Sequence, residues 1–201
     1  MALAVSIDDH SLGRPFTFDR HSFALTGTFP SFPSIKHAIL NLVDREFLPS
    51  VLDETPSQLV GALYLTELKN CWLECGNGAQ GAYLDLIDND MMWDSLDKIV
   101  DVIVGLQRRL GVPDMTMAHS SLNILATDGS CVFTPRFCHP LADSPTLYYS
   151  NEPQQGLKKI HQSESITGGA WKELPKNKSL MMNDYDDGMH EVDFGRPEWL
   201  L

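Results

Sequence analysis

Hydrophobic positions follow two different periods along this chain. Between residues 15 and 29, aromatic and β-branched residues partly alternate with polar ones around Gly27, a pattern that predicts strand, break and strand. The period then lengthens. From Pro33, which suits a first helical turn, Ile35, Ala38, Ile39, Leu42 and Val43 follow the spacing of one apolar helix face. A second helix is expected from Thr55 and Pro56, a capping residue followed by proline, through Leu59, Leu63 and Leu68 towards Cys71. Its broad apolar stripe predicts deep burial. Residues 76–92 open on Gly76, Asn77 and Gly78 and end among acids and methionines, which reads as a surface excursion. A third helix follows, with Ser95 as N-cap, Leu96, Ile99, Val100, Ile103, Leu106 and Leu110 as its stripe, and Gly111 and Pro113 as its stop.

The second half turns to strands. Residues 122–127 and 131–137 flank Asp128 and Gly129, a hairpin signal because glycine accepts a positive φ without a Cβ clash. Further strands are expected at 146–150, 157–163, 171–174 and 179–182, each separated by turn residues. Early helices with strands on both sides make an α+β chain. One domain over residues 1–183 is expected, with an acidic tail at 184–201 that is either a loosely held edge or an end packing through Trp199 and Leu200.

Composition narrows the function classes. The 201 residues are 43% hydrophobic, enough for one ordinary core without a structural metal or disulfides. Lys plus Arg number 15 against 27 acids, a net charge of −12 that repels phosphate backbones and anionic headgroups, so no nucleic acid or membrane partner is expected. No apolar run approaches the roughly 18 residues of a membrane span, and the start lacks the features of a secretion signal, so a cytoplasmic location is expected. The four cysteines, Cys71, Cys75, Cys131 and Cys138, read as free thiols. Cys71, Cys75, Cys138 and His139 can be drawn as a zinc site, but the Cys-x-x-Cys knuckle is missing, and neither metal nor cofactor is expected.

Other constellations fare similarly. His119 beside Ser120 and Ser121 suggests a hydrolase, yet neighbours on a strand point to opposite faces and no nucleophile elbow is present. Asp184, Asp186, Asp187, Gly188 and Glu191 imitate a calcium loop with its glycine and closing acid at the wrong places, which leaves an acidic solvated turn. His21 reads first as an exposed polar strand residue and second as an acid or base. The scattered methionines read as gap fillers or a partner surface.

A resemblance emerges from the order of several stretches. Arg14, Pro15 and Phe16, followed by Phe23 and by Leu25, Thr26 and Gly27, fall where one family has His-Pro-Phe, a Phe, and then His-Asn-Gly. Phe32, Ile35 and Lys36 follow, and Thr55, Pro56, Ser57 and Gln58 stand where the family has Thr-Asp-Ser-Glu before a helix. Residues 120–129, 146–150, 163–167 and 171–177 complete the series. The chain resembles the class II (N-terminal nucleophile) glutamine amidotransferases, in the branch of the fungal glutathione-degradation amidotransferase and the ergothioneine-pathway amidohydrolase. The resemblance implies an antiparallel β-sandwich with flanking helices, an N-terminal-nucleophile hydrolase-like αββα fold.

It also implies a chemistry that this chain departs from. Family members attack glutamine with a cysteine at the first position of the mature chain, its own amino group serving as base. This chain opens on Met1 and Ala2, and its motifs align only after roughly the first third of a family member, so the resemblance implies a fold incomplete at the N-terminus. The other departures lie inside the matched stretches. Thr26 replaces the oxyanion asparagine, a donor worth on the order of 3 kcal/mol in the transition state. Pro56 replaces the aspartate that holds the substrate's ammonium, and Gln58 replaces the glutamate.

No catalytic residue is therefore assigned. The core types Phe16, Phe18, Phe23, Ile35, Leu63, Leu122 and Tyr148 survive. The expectation is a degenerate amidotransferase-like protein that acts by binding, as a subunit with another protein or as a homo-oligomer covering sheet edges left open. The alternative is a repurposed enzyme whose remodelled pocket, lined by Arg14, Asp19, His21, Thr26 and Gly27, takes a small-molecule ligand, with Arg14 on a carboxylate and His21 as acid or base. A truncated gene product is a third reading, against which Thr26 and Pro56 count.

Overall fold

The computed structural model describes residues 2–5, 12–76, 84, 87–117, 119–138, 147–150, 172–183 and 189–193. The strand expected at 157–163, His139, the acidic loop at 184–188, Trp199 and Leu200 lie outside them, as do the side chains of Tyr148 and Cys138. Strands β1 (Ala2–Val5), β2 (Phe16–Phe18) and β3 (His21–Thr28) come first. Helices α1 (Phe32–Leu42), α2 (Pro56–Glu74) and α3 (Asn89–Arg109) follow, with a tight helical turn at Leu48–Ser50 and a one-turn helix α4 (Asp114–Met117). The chain then returns to strands with β4 (Ser121–Thr127), β5 (Cys131–Cys138), β6 (Leu147–Ser150), β7 (Lys172–Glu173), β8 (Lys178–Asn183) and β9 (Met189–Asp193).

Among these residues, one antiparallel sheet has the order β2-β3-β4-β5-β8-β9 and a second has the order β1-β6-β7. The architecture is α+β, as the two periods of the sequence predict. β9 lies in the segment read as a tail and forms an edge strand along β8. No helix among the described residues is long and apolar enough to cross a membrane.

Side chains alternate across the larger sheet and give it two unlike faces. On β3, His21, Phe23, Leu25 and Gly27 turn inward, and the register sets Phe23 opposite Ala126 and Leu25 opposite Ile124. Ala126 in turn faces Phe133, so an apolar surface runs across the central strands. Helix α2 packs on β2 and β3 and is itself flanked by α1 and α3. Residues 57–66 are buried without a break, because a helix enclosed on every side needs no polar face. A smaller cluster of Leu147, Leu174, Leu180 and Met182, with Val132, packs on the opposite face.

Two glycines permit these close approaches. A Cβ at Gly61 of α2 would lie 2.6 Å from the Phe16 side chain, so the glycine lets β2 settle against the helix. Gly27 has φ 126°, and a Cβ there would lie 2.0 Å from the Ser121 carbonyl oxygen. The expected break is therefore elsewhere. Gly27 sits within β3, and the turn between β2 and β3 falls at Asp19 and Arg20, with Asp19 at φ 52°.

The third helix also differs from its expected form. It starts seven residues earlier, capped by Asp88, whose Oδ1 accepts the Met91 N–H at 2.8 Å. Ser95 is a buried interior residue whose hydroxyl donates to the Met91 carbonyl at 2.7 Å. Met92 extends the buried stripe backwards across the acids that looked like a surface loop. At the far end of their stripes, Leu42 and Leu110 are 46% and 50% exposed, since helix ends project past the sheet they cover.

These contacts make opposite forecasts for two glycines. Gly27→Ala meets both a strained φ and backbone oxygen and should cost about 3 kcal/mol or more. Gly105→Ala in α3 meets nothing within 4 Å and should stabilise by up to about 1 kcal/mol. Urea unfolding midpoints of the two variants check both signs.

Candidate functional site

The first turn of α2 builds one wall of the candidate site. β2 ends its pairing at Phe16 opposite Phe23, so the β3 edge beyond it needs other partners for its backbone groups. Ser57 supplies them. Its Oγ accepts the Leu25 N–H at 3.0 Å and lies 3.4 Å from the Leu25 carbonyl, which also accepts the Leu12 N–H at 3.3 Å. The Ser57 N–H donates to the Leu12 carbonyl at 3.0 Å, tying three segments together. Gln58 extends the knot: its Nε2 donates to the Pro15 carbonyl at 2.6 Å and the Arg14 carbonyl at 3.3 Å, and its Oε1 accepts the Leu52 N–H at 3.0 Å. Arg14 is exposed beside this knot.

Behind it, the sheet face opposite the helices carries a group of polar side chains beside its apolar cluster. The register sets Thr26 opposite Asn123, Asn123 opposite Arg136, and Thr134 opposite Leu180. Thr26, Ser121, Asn123, Thr134 and Arg136 thus share one face by alternation. The Oγ atoms of Thr26, Ser121 and Thr134 are buried and meet no hydrogen-bond partner among the described residues. The Arg136 guanidinium is 2% exposed; one of its nitrogens pairs with Glu173 Oε1 at 2.8 Å and also donates to the Leu174 carbonyl. Of these residues Thr26 is the one expected in a pocket, and Ser121 was expected only beside His119 and Ser120. The signal was the polar residues two apart, Ser121 with Asn123 and Thr134 with Arg136, inside otherwise apolar strands.

The other end of β3 holds a separate cluster. His21 is 2% exposed, contrary to the expected solvated position, because it falls on the helix-facing side of the strand. Burial lowers its pKa from the usual 6.5; Asp128 and the Leu84 carbonyl work against that shift and Arg20 adds to it. Neither ring nitrogen reaches hydrogen-bond geometry among the described residues. Burial works to raise the Asp128 carboxyl, but the Cys131 and Ser130 N–H groups, the Ser130 hydroxyl and Arg20 together hold it below the usual range. Tyr64, fully buried nearby, is pushed well above the usual phenol range, chiefly by desolvation.

The five expected pocket residues therefore divide. Arg14, Thr26 and Gly27 gather at the Ser57 end of β3, whereas Asp19 and His21 lie at the hairpin end. Five strand residues separate His21 from Thr26, about 16 Å, and the two side chains lie on opposite faces. His119 is exposed in a turn and Ser120 is buried after it. Cys71 and Cys131 are buried, Cys75 is exposed at the end of α2, and no group of three or more metal-ligating side chains occurs among the described residues.

No family model and no curated protein matches this sequence. Among solved structures, the chain is similar to a glutamine aminotransferase class-II domain protein from Silicibacter pomeroyi. The two share 20% identity and a TM-score of 0.62 over 90% of this chain and 71% of that chain. At that identity the likeness is one of fold.

The buried imidazole carries a pH dependence. Its folded pKa lies below the unfolded 6.5, so the unfolded chain binds more protons between the two values. Stability from this group is complete above 6.5 and is lost as the pH falls through the folded value. Wild type should weaken between pH 7.5 and 5.5 in urea titrations, and His21→Phe should flatten that slope.

Proposed function

We propose that this chain is a degenerate class II amidotransferase-like protein that no longer splits glutamine and acts by binding, as a subunit of a complex or in a homo-oligomer. In this reading the two sheets are the layers of an antiparallel β-sandwich flanked by helices, an N-terminal-nucleophile hydrolase-like fold of the fungal glutathione-degradation and ergothioneine-pathway branch. The observation that carries it is the state of the former oxyanion turn. Gly27 is held within a paired strand opposite Leu122, and Thr26 offers a short hydroxyl where the family has an amide. A donor displaced from the oxyanion position loses most of its catalytic value.

Neighbouring positions support the same reading. Pro56, in the first turn of α2, brings neither charge nor N–H to a substrate ammonium. Gln58 is engaged by three backbone partners of its own. Of the described thiols, Cys75 lies a whole helix away, about 28 Å from Pro56, and Cys71 and Cys131 are buried. A second reading, a repurposed enzyme, draws on the buried hydroxyls around Arg136, which suit a small polar ligand.

Incubation with millimolar glutamine should release no ammonia above a buffer blank, and release proportional to protein concentration would overturn the reading. Light scattering should show a species of at least two copies if self-association covers the sheet edges; a stable monomer would leave a separate protein as the partner.

A further inference from the structure

A cavity of about 200 Å³ lies between the second half of α3 and the sheet, on the helix-facing side and therefore away from the polar patch around Arg136. Its wall is apolar: Phe29, Val100, Ile103, Val104, Leu122 and Phe137, each nine-tenths or more buried. An apolar void of about 150 Å³ accommodates a benzene-sized guest, so this cavity has room for an aliphatic or aromatic group of similar size.

Polar groups are few and placed unlike one another. Ser120 lines the cavity, is 6% exposed, and its Oγ meets no hydrogen-bond partner among the described residues. Gln107 also lines it, its Nε2 fixed by donation to Ser31 Oγ at 2.5 Å. At the mouth stand two exposed residues of opposite charge, Arg108 and Asp114. No ion pair joins them to each other or to another described residue.

We infer that this cavity binds a hydrophobic α-amino acid, its side chain among Val100, Ile103 and Phe137, its carboxylate towards Arg108 and its ammonium towards Asp114. The apolar wall sets the body of the ligand, and the two opposite charges set its zwitterionic head. A simple fatty acid would leave Asp114 facing like charge, and an amine would leave Arg108 so. The site is independent of the amidotransferase reading, because none of its residues belongs to that pocket.

Calorimetry and backbone-amide NMR on the full chain test this with L-leucine and L-phenylalanine beside 3-phenylpropionate, phenethylamine and benzene. The amino acids should bind and shift the amides of residues 100–108, 114–117 and 120–122, with each single-charge analogue at least tenfold weaker. Arg108→Gln and Asp114→Asn, both at exposed positions, should each weaken the amino acids about tenfold. Val104→Phe should fill the void, abolish binding and leave the unfolding midpoint equal or raised, which separates a blocked site from a misfolded chain. Equal binding of benzene or of a single-charge analogue, absence of amino-acid binding, or indifference to both charge substitutions would each overturn the inference.

Discussion

Everything in the helical half of this protein depends on how α2 is buried. A helix enclosed by two strands and two other helices gains roughly 1.5–3 kcal/mol for each fully buried leucine, and Leu59, Leu63, Leu65 and Leu68 all qualify. That burial is strong but undirected. Direction comes from the polar first turn, where Ser57 and Gln58 meet the backbone of Leu25, Leu12, Pro15 and Leu52. Each such bond adds only about 1 kcal/mol net, yet a buried N–H left without one costs about 1–3 kcal/mol, so slippage of the helix by one residue is opposed at several points together. Gly61 completes the arrangement by letting Phe16 approach the helix axis.

The same arrangement explains what could be read from the chain. The start at Pro56, the helix stripe after Pro33, and the Asp128 and Gly129 hairpin were legible because proline geometry, spacing and turn chemistry are local; Thr55 holds the N-cap position, but its hydroxyl donates to Asp53 Oδ1 and caps nothing. The start of α3 was not. Its first turn is acidic and its buried contributor there is Met92, so the apolar pattern visible from Leu96 onward under-reports the helix by nearly two turns. Gly27 was legible as special but not as to why. A strained φ inside a strand looks the same in sequence as a turn, and only the Ser121 carbonyl across the sheet tells them apart. β1 escaped because four small apolar residues carry little periodicity, and its partner β6 is distant in sequence.

The candidate site was legible only in part for a related reason. His21 and Thr26 share a strand, and in one dimension five residues look like neighbours. Strand geometry places them at opposite ends and opposite faces, so they serve different surroundings: a desolvated imidazole near Asp128, and a hydroxyl among the polar residues of the other sheet face. Arg136 and Thr134 follow the hairpin and are separated from Thr26 by more than a hundred residues, a distance closed only by strand pairing.

The polar face sets a condition on any ligand that occupies it. A guanidinium at 2% exposure is tolerable only because its donors are met, and Glu173 with the Leu174 carbonyl meet one of its nitrogens. The pair is therefore close to neutral, and the patch presents no bare positive charge. Glu173 itself is 53% exposed, so it can swing into water at modest cost while Arg136 cannot leave the interior. A small carboxylate entering here would replace Glu173 rather than add to it. Its advantage would be only the difference between two similar ion pairs, so the charge of Arg136 by itself gives such a ligand little hold.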